Sequence, residues 1–242
     1  MSVICGIHSV REALSSPAGN LTAVYVCQGF RNPRLHELLH AAREKGVPIH
    51  QVPRDTLDRM AGKVQHQDVV GQQESFRYSS YEEIAGHAAS PALILVLDGV
   101  EDPQNLGAVL RTADAAGVAG LFIPDRRAAA VTAAVVKASA GAAAHGRVCR
   151  ETNLSNLLER LKGDGYWIVG LDAEGQELWT VPDYSVPTVL VLGGEGKGIR
   201  PLVKKHCDRL VRLPMRGHVS SLNVSVTAGI ILYEVLRQRQ QS

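Results

Sequence analysis

The sequence predicts an α/β protein whose main part is a parallel sheet covered by helices, preceded by a smaller α/β unit. Short apolar runs rich in β-branched residues alternate with segments of helical apolar periodicity along most of the 242 residues. Three polar, glycine-containing stretches, at 97–118, 192–199 and 213–232, stand where an apolar run passes into the next element. We refer to them as blocks 1, 2 and 3. Because ligands bind at strand ends in parallel α/β sheets, the blocks predict the functional site.

The smaller unit is predicted from the first 78 residues. Their apolar pattern alternates between the helical and the strand period, which predicts helices at 7–14 and 33–46 and strands at 21–27 and 47–52. The stretch that follows is polar and rich in small residues, with Gly86 and Pro91 as breakers. We therefore predict a first domain over 1–78, a linker over 79–91 and a second domain over 92–242.

The second domain opens with an apolar run over 92–100, which has the composition and length of a parallel strand buried on both faces. A helix is predicted to follow from about Asn105 to Ala116. The same alternation then predicts strands at 120–124, 166–171, 188–194 and 210–214, helices at 131–142 and 153–163, and a last helix that ends near Arg239.

Composition and charge limit the possible functions. The formal net charge is +2, and the first 78 residues hold nine Lys or Arg against seven Asp or Glu, so any field that attracts RNA must come from local patches. The four cysteines are far apart and form no CxxC pair, which argues against a zinc site or a disulfide framework. Neither a signal peptide nor an apolar run of membrane-spanning length is recognisable. We expect a cytoplasmic protein without a metal or a membrane partner.

Block 1 places an arginine on an apolar helix. Asp102 or Asn105 is suited to cap the start of this helix. Arg111 follows on a segment that is otherwise small and apolar. An ordinary surface arginine is one reading of it, and an electropositive group near the strand ends, able to bind phosphate or stabilise developing charge, is the other.

Block 2 reads LGGEGKGI and has four glycines around Glu195. It is not a Walker A loop, because Lys197 is followed by Gly198 and position 191 is Val. The dinucleotide fingerprint also fails, since Ile199 stands where its third glycine belongs. A tight turn is the simpler alternative, but it explains neither the number of glycines nor the carboxylate. We predict a loop whose backbone closely approaches a ligand.

Block 3 runs from a short strand through a loop into the last helix. Ser220 or Ser221 is predicted to be the N-cap of that helix. Asn223 would then lie in the first turn, and because Asn has poor helix propensity, it and Ser225 are predicted to turn their side chains towards a ligand. His218 receives no role, since a single loop histidine is more often neither base nor ligand.

Together the three blocks resemble the SpoU class of SPOUT RNA methyltransferases, over roughly residues 92–239. The family patterns are N-x-G-x-x-x-R-T-A, G-x-E-G-x-G and P-M-x-G-x-x-x-S-L-N-V-S. The positions that match are Asn105, Gly107 and Arg111 in block 1, Gly193, Glu195, Gly196 and Gly198 in block 2, and Ser221, Leu222, Asn223 and Ser225 in block 3.

The resemblance implies an α/β-knot fold, in which a C-terminal trefoil knot holds S-adenosylmethionine. Knots are too rare for pattern reasoning to propose one. It also implies a small α/β, ribosomal L30e-like, RNA-binding domain in front, because GIHSVREAL near the start and HQDVVG at 66–71 resemble the substrate-binding domain of large-subunit ribosomal RNA guanosine 2′-O-methyltransferases.

Site roles follow from the same resemblance. Arg111 is implied to be catalytic, either in removing the 2′-hydroxyl proton or in holding an RNA phosphate and stabilising the alkoxide; a guanidinium deprotonates only with great difficulty. Ser221 and Asn223 would orient substrate, and Glu195 and Asn105 would position loops or substrate. The implied cofactor-binding residues are Gly193, Gly194, Gly196, Leu213 and Leu222.

The implied reaction is S-adenosylmethionine-dependent 2′-O-methylation of a guanosine in 23S ribosomal RNA by a homodimer whose active site lies at the subunit interface. Transfer RNA is the alternative substrate, since its SpoU enzymes share all three blocks, but the additional N-terminal domain favours ribosomal RNA. A nucleotide-binding dehydrogenase and a non-catalytic RNA-binding module are the other classes. The failed dinucleotide fingerprint argues against the first, and the presence of both Arg111 and Asn105 argues against the second.

Overall fold

The structure is a computed structural model that describes residues 2–15, 21–73, 76–86, 91–196 and 198–240. The chain divides into two compact units, Met1–Arg77 and Tyr78–Ser242. Within the described residues, no helix combines the length and the apolar character needed to cross a membrane.

The first unit is a four-stranded mixed sheet with helices on both faces. Its strands lie in the order β1-β4-β2-β3, with β4 antiparallel to β1 and β2, and β3 parallel to β2. The elements are β1 (Ser2–Cys5), α1 (Ile7–Ser15), β2 (Leu21–Cys27), α2 (Pro33–Glu44), β3 (Ile49–Val52), α3 (Arg54–Ala61) and β4 (Val69–Gln73). Of these, β1, α3 and β4 were not predicted from the sequence, because they are short and lack a complete apolar period.

Strand alternation explains the two layers of this unit. Val24 and Val26 of β2 point to a core shared with α1 and α2, whereas Tyr25 and Cys27 point to a smaller cluster around Leu57 of α3. A single strand therefore supplies both cores.

The second unit is a seven-stranded sheet in which every neighbouring pair is parallel, in the order β7-β6-β5-β10-β8-β11-β9. This confirms the predicted parallel α/β class. Its strands are β5 (Leu93–Asp98), β6 (Gly120–Pro124), β7 (Val148–Glu151), β8 (Trp167–Leu171), β9 (Glu177–Leu178), β10 (Thr188–Gly193) and β11 (Arg209–Arg212). Its helices are α4 (Tyr81–Ala85), α5 (Pro103–Ala115), α6 (Ala133–Ala138), α7 (Leu154–Gly163), α8 (Pro201–Lys204) and α9 (Val224–Arg239).

Several boundaries differ from the predictions. The helix expected over 131–142 is shorter, because Ala140 and Gly141 adopt positive φ angles and separate α6 from a 3-10 helix over Ala142–Ala144. The strands β7 and β9 and the helices α4 and α8 were not predicted, since each is too short for its period to show.

The predicted linker 79–91 holds a helix that packs on the second unit. Ser80 and Glu83 form a capping box at the start of α4. Tyr81 and Ile84 are buried in the core, and the Tyr81 hydroxyl donates to Asp164 at 2.6 Å. Residues 79–86 of the predicted linker are part of the second compact unit, whereas residues 87–90 lie outside the described residues.

The last helix is fastened to the amino-terminal edge of the sheet. The Arg239 guanidinium donates to the carbonyl oxygens of Pro91, Ala92, Tyr184 and Val186. Burial lowers the pKa of Arg239, although a guanidinium remains charged at any physiological pH. Hydrogen bonds from a charged donor are among the stronger ones in proteins, so this side chain fixes the end of α9.

Candidate active site

A cavity of about 940 Å³ lies at the carboxyl ends of β8, β10 and β11. Its size is within the range of sites for small organic ligands, and its position is where ligands bind in parallel α/β sheets. Eight of the residues predicted from the sequence line it: Gly193, Gly194, Glu195, Gly196, Leu213, Ser221, Leu222 and Asn223.

The glycines of block 2 have different roles. A Cβ atom at Gly193 would lie 2.0 Å from the carbonyl carbon of Gly198, and one at Gly194 would lie 2.0 Å from the carbonyl oxygen of Gly99. Both approaches are to the protein's own backbone. Gly196 instead has φ +77°, and a Cβ there would meet no described atom within 4 Å. The close backbone approach at Gly193 and Gly194 is therefore made within the protein itself. Only Gly196 leaves open space in which a ligand could approach the loop.

An ion pair between a buried carboxylate and a half-exposed arginine anchors the same loop to block 1. The carboxylate of Asp98, at the end of β5, is fully buried and accepts from the backbone N–H of Arg200 at 2.8 Å and from its Nε at 2.6 Å. The carbonyl of Asp98 also accepts from the N–H of Gly194 at 2.9 Å. The sequence analysis missed this pair. The available signal was an aspartate that ends a buried strand, since a buried carboxylate requires a partner.

A chain of hydrogen bonds joins all three blocks beside the cavity. Asn105 Nδ2 donates to Glu195 Oε1, and Asn223 Nδ2 donates to Asn105 Oδ1 at 2.9 Å. Asn223 Oδ1 then accepts from the backbone N–H of Ser225 at 2.8 Å. An ionised carboxylate can only accept, so it fixes the direction of both amide groups. Residues predicted separately are thus one connected group.

The helix caps differ from the predicted ones. Asn223, and neither Ser220 nor Ser221, is the N-cap of α9. At the other helix, Asp102 caps α5 by accepting from the N–H of Gln104 at 3.1 Å. Asn105 therefore lies inside the first turn of α5. The serines look equally suited as caps in sequence, but they stand too far before Val224 to bond its first-turn N–H groups.

Arg111 stands apart from the cavity. It is an exposed residue on α5 and is not one of the described residues that line the cavity. The neighbouring motif residue Gly107 has a packing role, because a Cβ there would lie 2.4 Å from the Cβ of Ala138 on α6. Block 1 therefore contributes Asn105 to the group beside this cavity and presents Arg111 elsewhere.

Some lining residues lie outside the three blocks. Asp172 and Glu174 follow β8, and Lys204 is the last residue of α8. The Lys204 ammonium lies 2.6 Å from Asp172 Oδ2, whose carboxylate is mostly buried. Asp172 was detectable as a polar residue at a strand end. Lys204 had no such signal, because it lies on a short helix that the sequence did not reveal.

The described residues offer little for metal binding or thiol chemistry. No group of three or more His, Cys, Asp or Glu side chains in them could hold a metal ion. Burial raises the pKa of Cys149 and of Cys207 to about 12, so both thiols stay protonated near neutral pH.

Comparison with known proteins places this geometry in context. The profile of the SpoU rRNA Methylase family matches residues 92–233, and that of RNA 2′-O ribose methyltransferase substrate binding matches residues 3–79. The 23S rRNA (guanosine-2′-O-)-methyltransferase RlmB of Xanthomonas campestris pv. campestris is 43% identical over 239 residues, which cover 98% of this chain and 96% of the relative.

Two solved structures have the same fold. The AdoMet-bound rRNA methyltransferase of Sinorhizobium meliloti matches with a TM-score of 0.64 and 26% identity, over 98% of this chain and 87% of its own. The A. aeolicus TrmH/SpoU tRNA modifying enzyme matches with a TM-score of 0.59 and 31% identity, over 66% of this chain and 81% of its own. With both family profiles matched in order and a relative 43% identical over nearly its whole length, this chain belongs to the SpoU rRNA methylase family.

Proposed function

We propose that this protein transfers a methyl group from S-adenosylmethionine to the ribose 2′-hydroxyl of a guanosine in 23S ribosomal RNA. The observation that carries the proposal is the hydrogen-bond chain of Glu195, Asn105 and Asn223, which joins all three blocks beside one ligand-sized cavity. The 43% identical relative named as a 23S rRNA methyltransferase supports the substrate. The same proposal places the protein in the cytoplasm, where 23S ribosomal RNA is present.

The cavity fits S-adenosylmethionine. Its walls combine open backbone at Gly196 with the apolar side chains of Leu213 and Leu222. Main-chain groups can hydrogen-bond the adenine edge and the amino acid end of such a ligand, while apolar side chains cover the base. Gly193, Gly194 and Gly196 shape this wall. When bound, the cofactor supplies an activated methyl group.

The protein's task is to align the hydroxyl and to help it lose a proton. Ser221 and Asn223 line the cavity and hold the ribose by hydrogen bonds. Glu195 and Asn105 keep Asn223 in place, so they act as positioning residues. Arg111 stabilises the alkoxide and holds an adjacent RNA phosphate, because a guanidinium is a poor proton acceptor but a strong anion partner.

We further propose a homodimer in which Arg111 acts at the partner's cavity. Apolar side chains are exposed along one side of α9 and before it, namely Val219, Leu222, Val226 and Tyr233. Exposed apolar side chains grouped in this way are typical of an interface. Arg111 is exposed and does not line the cavity of its own chain, which is compatible with its reaching the cavity of a second copy. The trefoil knot implied by the family is part of the same proposal.

The first unit is proposed to dock the RNA. Its profile match is to a substrate-binding domain. The tRNA modifying enzyme aligns with only 66% of this chain, whereas the RlmB relative covers 98% of it. The additional unit therefore favours ribosomal RNA over transfer RNA as substrate.

Replacing Arg111 by Ala tests the catalytic assignment. We expect methyl transfer to 23S rRNA to fall by about two orders of magnitude, the usual cost of losing an oriented charge-stabilising group. Cofactor affinity by calorimetry and the thermal midpoint should stay unchanged, since the side chain is exposed. Arg111→Lys keeps the positive charge but loses the bidentate hydrogen-bonding geometry of the guanidinium group, so it should retain part of the activity. Full activity of Arg111→Ala would remove this residue from the reaction.

Mapping 2′-O-methylation on RNA from cells with and without the protein identifies the methylated nucleotide.

A further inference from the structure

A second cavity, of about 370 Å³, lies entirely within the first unit. It is formed where α1 and α2 begin and where the turn before β4 passes between them. Its lining is polar except for Ile7: Ile7, His8, Arg11, Asn32, Arg34, Gln67 and Asp68. The two sequence stretches that marked this unit as RNA-binding, near 6–14 and 66–71, meet here.

The turn at this cavity is held in a strained shape. Gln67 and Asp68 are consecutive residues with φ of +49° and +62°, a region that non-glycine residues rarely adopt. Buried His66 fixes the turn, because its Nε2 lies 2.8 Å from Asp58 Oδ1 and its Nδ1 accepts from the N–H of Asp68 at 3.1 Å. Gln67 Oε1 also accepts from the N–H of Ile7 at 3.2 Å. Strain maintained in this way is characteristic of functional sites.

More basic than acidic side chains line this cavity, in keeping with the small net positive charge of the first unit. Arg11, Arg34 and His8 are exposed at the rim against the single carboxylate of Asp68. Arg11 pairs with Glu37 at 3.2 Å, but both side chains are largely exposed, so that pair is weak and can be exchanged for a phosphate. Asn32 uses its side-chain oxygen to cap α2. Its amide nitrogen remains a potential donor.

We propose that this cavity binds an unpaired nucleotide of the RNA substrate, with Arg11 and Arg34 on the flanking phosphates and Asn32 and Asp68 on the base edge. This inference rests on the proposed function. Guanidinium groups match phosphate, while a carboxylate and an amide match the donors and acceptors of a base. The bases of an RNA duplex are stacked and paired, so a concave site of this kind suits a looped-out nucleotide.

Fluorescence anisotropy with the full-length protein tests the proposal. The probes are a fluorescein-labelled, single-stranded ribo-octanucleotide of mixed sequence and the same strand annealed to its complement. The double variant Arg11→Gln/Arg34→Gln should weaken binding of the single strand by about tenfold or more and reduce the salt slope by about 1.4, or about 0.7 for each lost phosphate contact. The duplex should bind more weakly than the single strand.

The matched control is Arg43→Gln/Arg59→Gln, which removes two exposed arginines of the same unit that do not line the cavity. It should stay within about twofold of the unchanged protein if contacts, and not net charge, determine binding. Asp68→Asn should change the preference among homopolymer octamers without changing the salt slope. If the two double variants bind alike, the cavity is not the RNA site. If the unchanged protein shows no preference among the homopolymer octamers, no base is read.

The same preparations are assayed for methyl transfer to 23S rRNA, which separates the two proposals. Transfer by the unchanged protein, together with equal binding by both double variants, would overturn the cavity inference and leave the proposed function intact. Absence of transfer by the unchanged protein would instead overturn the proposed function. If the cavity double variant lowers the thermal midpoint, the single variant Arg34→Gln decides, because its exposed side chain can be replaced without disturbing the core.

Discussion

Asn223 uses both ends of its amide group, one to begin α9 and the other to reach Asn105. The sequence predicted that this asparagine faces a ligand, because its residue type suits the inside of a helix poorly. It could not show the partner, which lies 118 positions away in the chain. The residue type was informative, whereas the contact depends on a fold that brings block 1 to block 3.

Two substitutions separate these roles of Asn223. Asn223→Asp keeps the oxygen that caps α9 but loses the donor to Asn105 Oδ1, so two acceptor oxygens would face each other. Turning the Asn105 amide to relieve this would take its NH₂ group away from Glu195. We expect an almost unchanged thermal midpoint and a decrease in methyl transfer of about tenfold or more.

Asn223→Ala is the comparison, since it removes the cap as well. It should lower the free energy of unfolding by about 1 kcal/mol in addition to the loss of activity. Thermal unfolding and a radiolabelled methyl-transfer assay measure both quantities. Normal activity of Asn223→Asp would show that the contact with Asn105 is dispensable.

At the scale of an element, the loop after β10 combines packed and open glycines. The sequence identified it by glycine count and correctly excluded the nucleotide loops. It did not distinguish between a glycine that fits against backbone and one that needs a positive φ. That difference depends on Gly99, which approaches Gly194 only once β5 and β10 are paired in register, and on Gly198, which contacts Gly193 when the loop folds back on itself.

Gly194→Ala and Gly196→Ala should therefore behave differently. A methyl group at Gly194 would collide with the Gly99 carbonyl, so the loop must shift, and cofactor affinity should fall by at least about tenfold. At Gly196 the added methyl group meets open space but imposes a left-handed alanine, which should cost about 1 kcal/mol of stability and leave affinity less affected.

Calorimetry with S-adenosylmethionine and thermal unfolding check this pair. Equal losses of affinity in the two variants would contradict this expectation. The contact between Gly194 and Gly99 would then matter no more for cofactor binding than the open position at Gly196.

At the scale of the whole molecule, the sequence predicted two α/β parts because apolar periodicity restarts after Pro91. Two strands of the first sheet, β1 and β4, and the small helix α4 were more difficult to predict. Their identity depends on burial by tertiary contacts: Tyr81 and Ile84 look like linker residues until the core they fill is present. Long buried strands such as β5 and β10 carry their own signal, whereas short elements such as β1, β7 and α8 did not.

The unit boundary gives a prediction about truncation. A chain of residues 78–242 should fold and bind S-adenosylmethionine. It keeps Tyr78, whose hydroxyl accepts from the N–H of Val131 at 2.9 Å, and Ser79, whose N–H donates to Val148 at 2.7 Å. We expect it to lose most methylation of 23S rRNA fragments if, as proposed, phosphate contacts of the first unit supply much of the affinity. Efficient methylation of the same guanosine by the truncated chain would contradict the docking role.

The position of Arg111 outside its own cavity leads to a prediction that only an assembly can fulfil. An Arg111→Ala chain and a Gly194→Ala chain are co-expressed with different affinity tags, and the mixed dimer is purified over both. If Arg111 acts at the partner's cavity, the intact arginine of the second chain completes the intact cavity of the first, and about half of the unchanged activity should appear. If Arg111 acts in its own chain, neither site of this dimer is complete.

The reverse pairing combines an unchanged chain with a chain that carries both substitutions. Its activity should be near zero if Arg111 acts at the partner's cavity, and about half of the unchanged activity if Arg111 acts in its own chain. Failure to recover any mixed dimer, with a monomer mass by light scattering, would remove the dimer itself.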